Sequence, residues 1–137
     1  MPSRFREEII LQARTELPNE CCGLLAGLIQ NEPGGPVGRV TRRYPLVNAA
    51  ASPREFISKP ESMLAAEKAR RQEGLEFLAI YHSHPTTAPI PSKTDLDRNY
   101  SPSVVNLIVS LRTDQPEIRT WWLEAAGYEK AEVEWVE

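Results

Sequence analysis

The sequence predicts an α/β or α+β chain in which a mixed sheet lies between helices. Three observations carry that prediction. Residues 3–17 and 60–73 hold helix signals. The apolar runs at 75–84 and 104–111 have the length and content of strands buried on both faces. Turn-rich joints separate these stretches. No internal repeat, low-complexity tract or interdomain linker interrupts the 137 residues, so one domain over 1–137 is expected.

Each element has its own signals. In the first helix Phe5, Ile9, Ala13 and Leu17 recur every four residues, Ser3 is placed to cap it and Pro18 to stop it. The apolar run "CCGLLAGLI" (21–29) meets "QNEPGGPVG", a joint that predicts a hairpin into "RVTRRYPLV". "PREFIS" (53–58) reads as a further short strand. In the second helix, "PESMLAAEKARRQE", Pro60 suits the first turn and Gly74 the C-terminal stop. "LEFLAIYHSH" (75–84) follows as a central strand, then "TTAPIP", whose prolines forbid a ladder and hold the loop extended. "SKTDLDRNY" reads as a short helix and "VVNLIVSL" (104–111) as a second buried strand. "EIRTWWLE" and "KAEVEWVE" read as closing strands with Gly127 near their turn. In the last of these, Ala131, Val133 and Trp135 share one face. Trp121 and Trp122 point to opposite faces, which sends at least one into the core and leaves the other as the candidate for a homodimer contact.

Composition narrows the function. With 16 Lys and Arg against 19 Asp and Glu, the net charge of −3 disfavours a generic nucleic-acid surface. No run of about 18 apolar residues is present to span a membrane, and the charged start "MPSRFREEII" lacks the apolar centre of a signal peptide. Cys21 and Cys22 are neighbours, about 3.8 Å apart at Cα, too close for an ordinary disulfide. A disulfide framework is excluded and a cytoplasmic location is expected.

Chemistry concentrates in "AIYHSHPTTAPIPSKTD" (79–95), which holds both histidines of the chain. On a strand His82 and His84 point to the same side, at the strand's C-terminal end, where open α/β sheets bind ligands. Two imidazoles so placed suit one ion, zinc above others, and Asp95 supplies a third ligand if its helix folds back over the strand end. Asp95 is one of only three aspartates among the nineteen acids. The alternative is a satisfied polar histidine pair followed by an ordinary capping box, since Ser92 and Asp95 have that spacing. The two readings are compatible: Ser92 can start a helix while Asp95 faces an ion. Other hydrolytic zinc patterns fail by inspection. There is no His-Glu-x-x-His, there are too few histidines for a three-histidine site, and the zinc deaminase signature is missing in both halves.

"HSHP" (82–85), six residues and then "SKTD" (92–95), with Glu20 upstream in "NECCGLLAGL", resembles the JAMM (MPN-plus) metalloprotease motif, in its compact prokaryotic form. The resemblance extends over essentially the whole chain. It implies a cytidine-deaminase-like α/β fold, a mixed β-sheet flanked by helices known as the JAB1/MPN domain. It further implies a Zn2+ ion held by His82, His84 and Asp95. Glu20 would be the general base and later the proton donor, and Ser92 would stabilise the oxyanion. Spacing alone does not single out Glu20 among sixteen glutamates; the resemblance does. Its implied activity is hydrolysis of a peptide or isopeptide bond at the Gly-Gly tail of a ubiquitin-like or sulfur-carrier protein. Such a tail can lie as an added strand in a groove leading to the metal. Cys21 and Cys22 are then small buried side chains and not nucleophiles. Two other functions share parts of the pattern: a non-catalytic MPN-type scaffold, which would not need the ligands, and a metal-dependent hydrolase of small amides.

Overall fold

The computed structural model describes residues 1–99, 101–124 and 126–136. Helix α1 (Ser3–Thr15) leads into a hairpin of β1 (Cys22–Glu32) and β2 (Gly35–Leu46). Helix α2 (Pro60–Glu73), β3 (Glu76–His84), the short helix α3 (Lys93–Asp97) and strands β4 (Val105–Ser110), β5 (Glu117–Glu124) and β6 (Gly127–Lys130) follow. The six strands form one sheet in the order β2-β1-β3-β4-β5-β6. Only β3 and β4 run parallel, so the sheet is mixed. No helix among the described residues is long and apolar enough to cross a membrane.

Strand alternation divides the interior into two layers. Cys21, Leu25, Ala79, Tyr81, Leu107 and Val109 join Phe5, Ile9, Ile10 and Ala13 of α1 on one face. Cys22, Leu24 and Ile80 join Leu46, Val104 and Ala66 of α2 on the other. His82 and His84, in phase with Ile80, therefore belong to the α2 face. Tyr81 and Gly23 are partners across β1 and β3, and a Cβ on Gly23 would lie 2.1 Å from the Tyr81 ring. The Tyr81 hydroxyl donates to Gln12 Oε1 on α1 and accepts from Arg43 on β2, which ties three elements together beneath the sheet.

The central strand falls where its apolar run placed it, between β1 and β4. Pro60 opens α2, and Gly74 closes it in the left-handed conformation (φ 66°) that a glycine adopts without steric cost. Five local expectations are corrected. Ser3 does not cap α1; Pro2 holds that position, and the Ser3 hydroxyl donates to Val136 O instead. The helix ends at Thr15 and not Leu17, because a residue before proline is disfavoured in the helical region. Residues 53–58 form no ladder beyond the single bridge of Asn48 to Ser58, since side-chain bonds from Asn48 meet backbone groups of this segment. The final strand runs from Gly127 to Lys130 and stops; Ala131 is held by Thr120, and Val136 bridges to Pro2. Neither Trp121 nor Trp122 enters the core. Trp121 packs edge-on against Tyr128 and donates to Pro89 O, while Trp122 is 37% exposed. The expectations for Tyr100 and Glu137 lie outside the described residues.

Candidate metal centre

The topology brings the motif together. β3 ends at His84, the loop 85–91 turns back, and α3 begins at Lys93 with Asp95 in its first turn. Ser92 caps this helix in a reciprocal box: its hydroxyl accepts from Asp95 N at 3.1 Å, and its own N–H donates to Asp95 Oδ2 at 2.9 Å. The capping box and the clustering with histidine thus coexist on one carboxylate. The proline-rich loop is anchored by Ser110 on β4, which donates to Thr87 O, and by the Trp121 indole on Pro89 O.

His82, His84 and Asp95 are all buried. His82 Nε2 lies 3.2 Å from His84 Nε2 and 3.2 Å from Asp95 Oδ1, and His84 Nε2 lies 3.1 Å from Asp95 Oδ2. The other nitrogen of His84, Nδ1, is 2.7 Å from Ala88 O, to which it donates, so Nε2 is the atom turned to the cluster. Three lone-pair-bearing atoms this close, away from water, must have an N–H hydrogen or a cation between them. Burial alone would raise the Asp95 carboxyl, but hydrogen bonds from His82 and His84 hold it far below the usual carboxylate range. Burial would lower His84, and the Asp95 and Ala88 bonds overcome it to raise the imidazole.

A metal fits the same place. One ligand atom from each of His82, His84 and Asp95 lies within 4.8 Å of the other two, so the three side chains could all reach one ion. The donor set, two imidazole nitrogens and a carboxylate oxygen, suits zinc and leaves a coordination position open. Phe56 stacks on the His82 ring at 4.8 Å and shields it, an aromatic contact the sequence did not signal.

Glu20 stands just before β1, and Cys22 pairs with His82 across the strands. Its carboxyl is buried, and Oε1 has no partner among the described residues. Burial pushes the carboxyl up to about 8; His84 draws it down, and Asp95 and Glu55 push it further up. Glu20 is thereby placed within electrostatic reach of the cluster. Cys21 and Cys22 are fully buried, and burial pushes both thiols up to about 12, so neither offers a thiolate near neutrality.

Comparison with known proteins agrees with this geometry. Residues 2–124 match the family model described as prokaryotic homologs of the JAB domain. Desampylase of Haloferax volcanii is 36% identical over 110 residues, 77% of this chain and 75% of that protein. A probable TtuB-protein conjugate cleaving protease of Thermus thermophilus is 37% identical over 97 residues, 70% of this chain and 60% of the relative. CysO-cysteine peptidase of Mycobacterium tuberculosis is 33% identical over 104 residues, covering 76% and 67%. The solution structure of protein DSY2949 from Desulfitobacterium hafniense superposes with a TM-score of 0.85 at 34% identity, covering the whole of this chain and 94% of that one. The motif at residues 82–95, the mixed sheet that assembles it and the family match over residues 2–124 lead to one assignment: this chain belongs to the prokaryotic homologs of the JAB domain.

Proposed function

We propose that the chain is a zinc-dependent peptidase or isopeptidase acting at the C-terminal tail of a ubiquitin-like or sulfur-carrier protein. The observation that carries this reading is the buried cluster of His82, His84 and Asp95, with the buried, readily protonated Glu20 beside it. The relatives' names support it: one is a probable TtuB-protein conjugate cleaving protease and another a CysO-cysteine peptidase.

In this reading His82, His84 and Asp95 hold the metal. A zinc ion bound there supplies Lewis acidity, making water acidic near neutrality and polarising a carbonyl. Glu20 accepts the proton released as water attacks the scissile carbonyl carbon, and returns it to the leaving amine. Burial raises this carboxyl and a nearby zinc ion would draw it back down, which suits it to take a proton and then give it up. The Ser92 hydroxyl accepts one hydrogen bond, from Asp95 N, so its own proton remains to be donated to the developing oxyanion. Ala88 O keeps His84 in the tautomer that presents Nε2. Phe56 limits water at His82.

The test joins metal analysis to cleavage. Purified protein is expected to carry about one zinc per chain. It is expected to cut Gly-Gly-tailed ubiquitin-like proteins carrying either a peptide extension or an isopeptide-linked lysine. Glu20→Gln is expected to keep the zinc and lose about a hundredfold or more in turnover. Protein that binds no zinc, or a Gln variant that cuts at the native rate, would end this reading.

A further inference from the structure

The carboxyl of Glu20 needs an anchor, because its buried Oε1 has no partner among the described residues. The anchor is the segment that follows β2. Glu20 N–H donates to Ser52 O at 2.8 Å, and Glu20 O accepts from Asn48 Nδ2 at 3.0 Å, so both backbone polar groups of this residue are held by one loop. Asn48 also organises that loop. Its Nδ2 donates to Glu55 O at 3.1 Å, and its Oδ1 accepts from Ala50 N and Ile57 N, each at 3.0 Å. Both amide hydrogens and both lone pairs are used, which fixes the orientation of the amide. The loop is closed beneath it by Ala49 N on Ile57 O and Lys59 N on Val47 O.

The far end of the same loop faces the metal cluster. Phe56 stacks on His82, and Phe56, Ile57 and Ser58 wall a cavity of about 190 Å³ that reaches His82 and Asp95. Asn48 thus stands between the acid–base group and the wall against which a substrate would lie.

We propose that Asn48 is a positioning residue of the hydrolytic site, holding Glu20 and the Phe56–Ser58 wall as one hydrogen-bonded unit. The proposal rests on Glu20 acting as the proton carrier. Asn48 touches neither metal ligand nor reacting atom; it acts through the backbone of Glu20. Displacing a reacting group by about 1 Å costs roughly a hundredfold in rate, so loosening this anchor registers in turnover with the metal still bound.

Two variants and two readouts test it. Asn48→Ala removes all four bonds. Asn48→Asp keeps an acceptor for Ala50 and Ile57 and loses the donors to Glu20 and Glu55. Amide hydrogen exchange of the zinc-loaded protein is followed at Glu20 N–H, which is bonded to Ser52 and not to Asn48, with Val109 N–H in β4 as the internal reference. Both variants are expected to accelerate exchange at Glu20 at least about tenfold over the reference, as linked local opening requires. On the Gly-Gly fusion cut best by the wild type, both are expected to lower kcat about 10- to 100-fold with zinc content unchanged. Asn48→Asp should leave KM within about threefold, and Asn48→Ala should raise it, because only the latter also frees the wall. Thr120→Val, which loses a buried hydrogen bond to Ala131 away from the site, controls for general destabilisation and should keep kcat. Unchanged exchange at Glu20 in both variants, or native kcat in both, would overturn the proposal. A wild type that cuts none of the fusions defeats the hydrolase reading instead and leaves the exchange measurement to decide this one.

Discussion

Replacing Glu20 by Gln should stabilise the metal-free protein, and by an amount that grows with pH. The Glu20 carboxyl is pushed from an ordinary 4.5 up to about 8 by burial. Between those limits the folded chain keeps a proton that the unfolded chain has lost, so folding stability falls as pH rises through the window. Below about 4.5 both states are protonated and the penalty vanishes; above about 8 it is fully developed. The slope is at most about 1.4 kcal/mol per pH unit, which gives about 2.5 kcal/mol between pH 5 and pH 7. Glutamine has nearly the same shape and does not titrate, so the difference between the two proteins isolates this group. Urea unfolding of both chains in the presence of chelator, at pH 5, 6, 7 and 8, reads it directly as a widening gap in midpoint at constant m. Added zinc should narrow the gap, because a nearby cation favours the carboxylate. A stability difference that stays constant from pH 5 to pH 8 would show that Glu20 is solvated and ordinary, and the reasoning about its proton transfer would fall with it.

Other outcomes follow from the same contacts. Asp95→Asn removes the one anionic member of the cluster and should reduce bound zinc by at least about tenfold, measured by elemental analysis after dialysis. Zinc uptake by metal-free protein should release protons, and affinity should fall as pH drops, because the ion displaces the proton that Asp95 and its hydrogen bond hold on the raised His84; calorimetry in buffers of different ionisation enthalpy counts those protons. Thiol reagents at pH 8 should leave Cys21 and Cys22 unlabelled in the folded chain and label both in urea, as thiols pushed up to about 12 imply. Gly23→Ala should cost about 3 kcal/mol or more in unfolding free energy, since its Cβ would lie 2.1 Å from a fully buried Tyr81 ring.

The parts legible in the sequence are those whose information is local. The period of two in His82 and His84, the capping spacing of Ser92 and Asp95, and the Pro60 and Gly74 boundaries each survive because neighbouring residues decide them. The apolar run at 75–84 named the central strand because burial on both faces leaves no polar alternation. What failed depends on distant partners. Within residues 53–58 Phe56 and Ile57 favour a strand, yet Asn48 takes backbone groups of that segment that a strand ladder would need. One of Trp121 and Trp122 was expected in the core, and neither enters it; Trp121 instead holds the Pro89 loop, a role fixed by a contact 32 residues away. Glu20 was selected by resemblance, for its burial is created by a loop 30 residues downstream. Asn48, in "VNAAASP", reads locally as a turn residue; nothing nearby in the chain announces that its amide reaches back to Glu20.

The physical character of the site follows from this division. A buried carboxyl whose Oε1 has no partner among the described residues, and three lone-pair-bearing side chains drawn within 3.2 Å of one another, both cost a fold stability unless something else holds them. The sheet supplies that hold from below. β1 and β3 pair from Cys22 with His82 down to Gly27 with Glu76, and the Ser83 side chain points away from the cluster to accept Cys21 N at 2.8 Å. The residue between the two histidines therefore clamps the residue next to Glu20, so the strand that carries the ligands also fixes the start of the strand beside it. α3 is only five residues long and contributes a single carboxylate, held in place by its own cap. Rigidity thus comes from β1, β3 and the 47–58 loop, while the cluster's own electrostatics favour binding a cation. That arrangement favours metal uptake over collapse: a cation would take the place of the hydrogens shared among His82, His84 and Asp95, and its binding should stabilise the whole chain by an amount that grows with the logarithm of free metal over its dissociation constant.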